Sequence, residues 1–299
     1  MHNVFLALLF FLSSVFFLNS CGTQNSDDQN LYDFSSGGKI DLEDGMKAKL
    51  DGTSGILQYT RIWLIGSTKN ITRIYFALHG DGISDYSDST ADDRREMAKA
   101  LPAGEGAIVA YPISSGSRSW PAFTGKSLQR KNGPVLIQMF RQLAKSAGNE
   151  NAIFEQFGLS GAGKVNMALL MLVLEKYDSS ADVKAFVDDN FRGIHDGAAL
   201  CYDRDDMVDA YHRVLRDHAH LRGTFIHNTK AGEEVDYGYD YHFKVAKLFK
   251  PDLTKKEFPK GGSLTLQNNR LRFWSNPLHY YTWKSQFTRV FLGQSLPSE

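Results

Sequence analysis

The chain has 299 residues, 42% hydrophobic and 23% charged, and its 34 basic and 34 acidic side chains balance to a formal net charge of zero. That balance offers no electrostatic footprint for nucleic acid, the apolar share is too high for general disorder, and two cysteines cannot staple a disulfide scaffold. The length suits one large α/β domain or two small ones, with ample chain for a core.

Residues 1–20 carry no Lys, Arg, Asp or Glu, and Val4 to Leu18 is almost wholly apolar. Such a run is short for a membrane span, which needs about 20 residues, but it fits the core of a signal peptide. Leu18-Asn19-Ser20-Cys21 resembles a bacterial lipobox, which implies cleavage before Cys21 and a lipid on its thiol. Two features depart from that pattern: Met1-His2-Asn3 lacks a Lys or Arg, and Asn19 stands where a small residue is usual. A plain secretory signal is the alternative. Residues 1–20 are therefore read as a lipoprotein signal peptide, 21–40 as a flexible polar tether, and 41–299 as one folded domain. The expected location is outside the cytoplasm, anchored to a bacterial membrane or secreted, with Gly22-Thr23 leaning towards the outer membrane. Cys201, in the apolar stretch GAALCYD, is expected to be a buried, inert thiol.

Beyond the tether, strand-like and helix-like runs alternate. Gly55–Gly66 and Ile71–Leu78 are β-branched and aromatic, and their short polar link predicts a two-stranded hairpin. Asp92–Leu101 reads as a helix. Gly106–Tyr111 is a continuous apolar run, as in a buried parallel strand. Pro134–Ser146 places Val135, Leu136, Met139, Phe140 and Leu143 on one helical face. Asn151–Leu159 leads into a turn, and Gly163–Tyr177 is a strongly apolar helix. Val183–Val187 and Arg222–Ile226 read as short strands, Asp240–Phe249 as a helix, Leu271–Trp274 as extended, and Tyr281–Phe291 as a closing helix. The alternation predicts a mostly parallel central sheet with helices on both faces.

The most informative segment is Gly158-Leu159-Ser160-Gly161-Ala162-Gly163-Lys164. It supports two readings that exclude each other. A nucleophilic serine on a sharp strand-to-helix turn needs small neighbours, because the chain doubles back closely and the backbone is strained. The same residues fit a phosphate-binding loop, G-x-x-x-x-G-K. There the next residue should be Ser or Thr to hold Mg²⁺, and it is Val165. A plain glycine-rich structural turn is the third reading.

A serine is a weak nucleophile without a base beside it, so the first reading requires further residues. Leu78-His79-Gly80-Asp81-Gly82 closes a strand-like run upstream and can supply a backbone donor for an oxyanion. His279, between the last extended run and the last helix, is the candidate base. The loop after Arg222–Ile226 holds Glu233, Glu234 and Asp236 as candidate acids, with Glu233 the first choice; Asp188 and Asp189, after Val183–Val187, are the less usual placement.

Taken in chain order, these residues resemble the α/β-hydrolase superfamily over roughly residues 50–295. The likeness is to its serine hydrolases, nearest the extracellular esterase and polyhydroxyalkanoate-depolymerase-like branch. Ala162 replaces the last glycine of the usual G-x-S-x-G, Asp81 replaces a glycine of the HGGG-type loop, and Asn228 one of the HG…D…VP segment. The resemblance implies an α/β-hydrolase fold and a Ser160–Glu233–His279 triad. It implies an oxyanion hole of N–H groups at Gly80, Asp81 and Gly161, and cleavage of small or polymeric carboxylic esters through an acyl-enzyme. It calls for no cofactor or metal, and it leaves oligomeric state and acyl length open. The alternatives are a nucleotide-binding protein using GLSGAGK, or a hydrolase-fold surface protein with a dead site.

Other features rank lower. His212, His218 and His220 are better read as a solvated helix face than as metal ligands. Asp203, Asp205 and Asp206 lack the glycine and closing glutamate of a calcium loop. Trp120, Tyr237, Tyr239 and Tyr241 are read first as packing, with a substrate cleft as the alternative.

Overall fold

The computed structural model describes residues 34–35, 37–80, 91–116, 119–197, 204–228, 238–276 and 283–293. Contacts divide the chain into Met1–Asp33, which lies outside the described residues, and the compact unit Phe34–Glu299. Among the described residues nine strands form one sheet: β1 (Lys47–Ala48), β2 (Leu57–Gly66), β3 (Ile71–Leu78), β4 (Gly106–Ser114), β5 (Ile153–Leu159), β6 (Phe191–Gly197), β7 (Arg222–Asn228), β8 (Ser263–Leu266) and β9 (Leu271–Asn276). Their spatial order is β1-β2-β4-β3-β5-β6-β7-β9-β8. The six strands from β4 to β9 in that order run parallel. β2 and β8 run antiparallel to their neighbours.

The described helices are α1 (Ala91–Ala100), α2 (Lys126–Ser146), α3 (Gly163–Lys176), α4 (Ala181–Ala185), α5 (Arg204–Asp217), α6 (Tyr239–Phe249) and α7 (Trp283–Leu292). They cover both faces. On one face Tyr75, Val109 and Phe157 pack with Met97 of α1 and Phe291 of α7, the Tyr75 and Phe291 rings stacked at 4.4 Å. On the other, Phe154 meets Phe76, Phe140 of α2 and Phe186, while Tyr211 of α5 and His242 of α6 pack on Phe225. A sheet covered on both faces explains the continuous apolar runs; every residue of β4 is buried.

The expected parallel architecture is what forms, with three local differences. β2 and β3 are not a hairpin: β4 lies between them, antiparallel to β2 and parallel to β3. Val183–Val187 is not a strand but α4 and a following π-helical turn; the strand comes next, as β6. The helix expected from Pro134 begins at Lys126 and runs through the proline. There Gly133 lets the α3 backbone approach so closely that a Cβ would stand 2.8 Å from the Ala168 carbonyl.

The folded unit also reaches into the expected tether. Gln142 donates to the Gly38 carbonyl at 2.8 Å, Lys145 to the Gly37 carbonyl at 3.0 Å, and the Ile40 N–H donates to Ser146 Oγ at 3.1 Å. Among the described residues, no helix is long and apolar enough to cross a membrane.

Candidate active site

β5 ends at Leu159, Ser160–Ala162 make a single 3₁₀ turn, and α3 starts at Gly163. Ser160 has φ +48°, a left-handed conformation that costs a non-glycine residue about 1–2 kcal/mol. The other described non-glycine residues with positive φ, Gln267, Asn268 and Asn269, form the tip of the β8–β9 hairpin. At Ser160 the neighbours explain how the turn is held. A Cβ on Gly158 would stand 2.8 Å from the Asn166 amide, and one on Gly80 3.1 Å from Ser160 Cβ. The strand before the turn and the loop facing it are therefore both tight for any residue larger than glycine, Gly158 more so than Gly80.

Gly80 is held in turn by His79, which is buried. Nε2 of His79 lies 3.3 Å from the Ser114 N–H, which can only donate. The ring proton therefore sits on Nδ1 and donates to the Gly80 carbonyl at 2.9 Å. Trp120 stacks on the ring at 4.4 Å and donates from Nε1 to the His79 carbonyl at 2.7 Å. These contacts settle the role of Trp120, which is to pack and bond this loop. They also give His79 a task that the sequence left unread.

The ends of the neighbouring strands converge on the same edge. Leu159 pairs with Gly197, Gly197 with Ile226, and Asn228 with Asn276. The chain leaving β7 towards Glu233 and the chain leaving β9 towards His279 thus depart from the edge where Ser160 turns. Asp81, Glu233, Glu234, Asp236 and His279 themselves lie outside the described residues, as do Cys21, Cys201, Asp203 and Tyr237.

Two expectations are overturned. Asp188 and Asp189 sit in the π-helical turn before β6, and β6 begins opposite Phe154 near the start of β5. They are at the opposite edge of the sheet from Ser160, where Asp188 accepts from Tyr177 and Lys184; neither can complete the triad. The phosphate-loop reading also fails. Gly158 is paired within the sheet on both sides, and only three residues separate strand from helix, so no open loop of N–H groups exists to cradle a phosphate. Lys164 lies buried in the first turn of α3.

The unread acid is Asp196, buried at the end of β6. It accepts from Tyr211 at 3.1 Å and from Tyr241, and His242 Nε2 lies 3.3 Å away. Asn166 extends this network to Tyr211 and to the His195 carbonyl, both at 2.8 Å, and accepts from Gln156 at 2.9 Å. Burial lowers the proton affinity of His242 and of His227, the latter pushed down to about 3 with His242 contributing. Tyr239 packs on His227 and Phe258. Tyr239 and Tyr241 therefore pack inside the domain. His212 packs edge-on against Phe249, His218 against Tyr177, and His220 Nε2 bonds the Val187 carbonyl at 2.9 Å. Asp205 and Asp206 pair with Lys244 and Lys126. Among the described residues no cluster of His, Cys, Asp or Glu is placed to hold a metal.

No family model and no curated protein matches this chain in sequence. Solved structures do resemble it. A poly(3-hydroxybutyrate) depolymerase from Bordetella parapertussis is 10% identical, over 86% of this chain and 93% of its own, with a TM-score of 0.49. A carboxylesterase from Mesorhizobium loti is 14% identical over 80% and 97%, at 0.45. A dienelactone hydrolase from Anabaena variabilis is 12% identical over 84% and 95%, at 0.43. The fold assignment rests instead on this chain's own strand order and strained serine turn: the described residues have the α/β-hydrolase fold.

Proposed function

We propose that the protein is an extracytoplasmic serine hydrolase of carboxylic esters, with Ser160 as nucleophile, His279 as base and Glu233 as acid. The observation that carries the proposal is Ser160 at φ +48° between β5 and α3, with Gly80 against it. In this reading His279 takes the Ser160 Oγ proton as the oxygen attacks the acyl carbon, and Glu233 orients the imidazole and stabilises its charged form. The N–H groups of Gly161 and of the Gly80–Asp81 loop hold the oxyanion, each worth typically about 10²–10³ in rate. The alkoxide leaves with the proton from His279. A water, deprotonated by the same histidine, then attacks the acyl-enzyme and releases the carboxylic acid and Ser160.

Labelling with a fluorophosphonate probe tests this directly, with p-nitrophenyl butyrate turnover as a second readout. Wild type is expected to react, and Ser160→Ala and His279→Ala are not. A folded wild type that neither labels nor turns over ester removes the reading and leaves a hydrolase fold with a dead site. The extracytoplasmic placement is supported by the apolar run Val4 to Leu18 ending near Cys21. Cells grown with tritiated palmitate should incorporate label into wild type and not into Cys21→Ser; equal incorporation counts against lipidation at Cys21.

A further inference from the structure

α3 is apolar along most of its length, yet Asn166 lies in its first turn, fully buried between Val165 and Met167. Asparagine is a poor helix former, and an amide taken out of water needs partners. Asn166 has them on every side. Its nitrogen, which carries two N–H groups, donates to the His195 carbonyl of β6 and to the Tyr211 hydroxyl of α5, both at 2.8 Å. Its oxygen accepts from Gln156 of β5 at 2.9 Å. A carbonyl can only accept, so the His195 oxygen fixes which way the amide points. Tyr211 donates onward to Asp196 at 3.1 Å. The bonds therefore run in one direction, from β5 through α3 and α5 to the end of β6.

The place of this amide gives it a task beyond packing. Its side chain lies against Gly158, just before the serine turn, where an added Cβ would stand 2.8 Å from the amide nitrogen. Asn166 thus fills the inner corner between the strand that enters the Ser160–Ala162 turn and the helix that leaves it. It is rooted in the helix by its backbone and tied to the sheet through Gln156 and His195. The angle between β5 and α3 sets where the turn points, and with it the Gly161 N–H. We propose that Asn166 is a positioning residue for ester hydrolysis, a wedge that holds the start of α3 so that the Gly161 N–H meets the oxyanion. This rests on the hydrolase reading, in which Gly161 supplies that donor. Charge develops on the oxyanion only as the transition state forms, so a displaced donor lowers kcat and leaves KM nearly unchanged.

The test compares p-nitrophenyl butyrate kinetics of wild type, Asn166→Ala, Tyr211→Phe and Leu172→Ala, with urea midpoints measured alongside. Removing a donor outright costs about 10²–10³ in rate and a misplacement of 1 Å on the order of 10². Asn166→Ala should therefore lower kcat about 10- to 100-fold, with KM changed by less than about twofold. Tyr211→Phe, which takes away one of the amide's acceptors, should show a smaller loss of the same kind. Leu172→Ala, buried farther along α3, should lower the urea midpoint and leave kcat unchanged. A second readout is the ³¹P resonance of Ser160 after fluorophosphonate labelling, because the phosphonyl oxygen then occupies the oxyanion position. It should shift in Asn166→Ala and not in Leu172→Ala. If Asn166→Ala fails to fold, Tyr211→Phe decides. A wild type that turns over ester while the Asn166→Ala and Tyr211→Phe variants keep its kcat overturns the positioning role and leaves the hydrolase reading standing. So does a loss that appears in KM alone, or one that Leu172→Ala shares. A folded wild type that neither labels nor turns over ester removes the hydrolase reading, and this role with it.

Discussion

Ser160 shows how one residue's conformation depends on what its neighbours lack. A left-handed serine persists only where the surroundings over-determine it, and here they do so by being small. Gly80 is the sharpest case. A methyl group there would stand 3.1 Å from Ser160 Cβ, closer than such contacts normally come, and 3.4 Å from the Leu159 carbonyl, in ordinary contact. The Gly80 loop cannot easily recoil, because His79 bonds its carbonyl and Trp120 covers the ring. Gly80→Ala should therefore shift either the serine or the oxyanion donors by a few tenths of an ångström. A misplacement of this kind costs on the order of 10²-fold when it reaches 1 Å, so a loss of about tenfold in fluorophosphonate labelling rate is expected, with little change in the urea midpoint. Unchanged labelling would show that Gly80 does not help to set the site.

At the scale of elements, three of the four buried histidines among the described residues share one electrostatic trait: His195 on β6, His227 on β7 and His242 on α6. Burial is the leading cause of depressed proton affinity in all three. His227 is the clearest, at about 3, against about 6.5 in an unfolded chain. A depressed folded value means that the unfolded state binds the proton first. Stability is complete above about pH 6.5 and is lost as the pH falls from there towards 3. His227 alone contributes a slope of up to about 1.4 kcal/mol per pH unit in that window. Urea unfolding between pH 7 and 5 should show wild type losing stability faster than His227→Gln, which keeps a donor for the Pro259 carbonyl now bonded at 2.8 Å. Parallel pH profiles would mean that His227 does not titrate on unfolding.

The same elements show where the sequence was readable. Gly163–Lys176 and Tyr239–Phe249 were legible because an apolar or amphipathic helix is a local pattern, and β4 because a run buried on both faces is continuous. The order β2-β4-β3 was not, because no local signal says that a third strand inserts between two adjacent ones. Val183–Val187 is short, apolar and β-branched, which helix and strand share; the packing of Phe186 against Phe140, Phe154 and Phe191 is a tertiary contact that no local pattern announces. That slip hid Asp196, since the acid after β6 was sought one element too early. The β8–β9 hairpin had a signal in Asn268-Asn269, residues that tolerate the left-handed region. The elbow glycines, by contrast, were legible in full, because a steric need for glycine is written as glycine.

Over the whole molecule, the boundary of the fold is set by contacts and not by composition. Residues 22–40 read as tether because Ser, Gln, Asn, Asp and Gly dominate them, yet the compact unit starts at Phe34. Phe34 is 8% exposed, and Arg141 donates to its carbonyl at 2.8 Å while also pairing with Asp182 at 2.6 Å. The Gly38 N–H donates to Asp51 at 2.9 Å, and the carbonyls of Gly37 and Gly38 accept from Lys145 and Gln142 of α2, so this polar segment is tied to the domain. Burying a phenylalanine side chain is worth about 1.5–3 kcal/mol, and each net hydrogen bond about 0.5–1.5 kcal/mol. A protein of residues 41–299 should therefore be less stable than one of residues 34–299 by roughly 3–5 kcal/mol on these scales, read from urea midpoints under identical conditions. Coincident midpoints would return residues 34–40 to the tether. A large gap would mean that residues 34–40 belong to the fold and help to hold α2 in place.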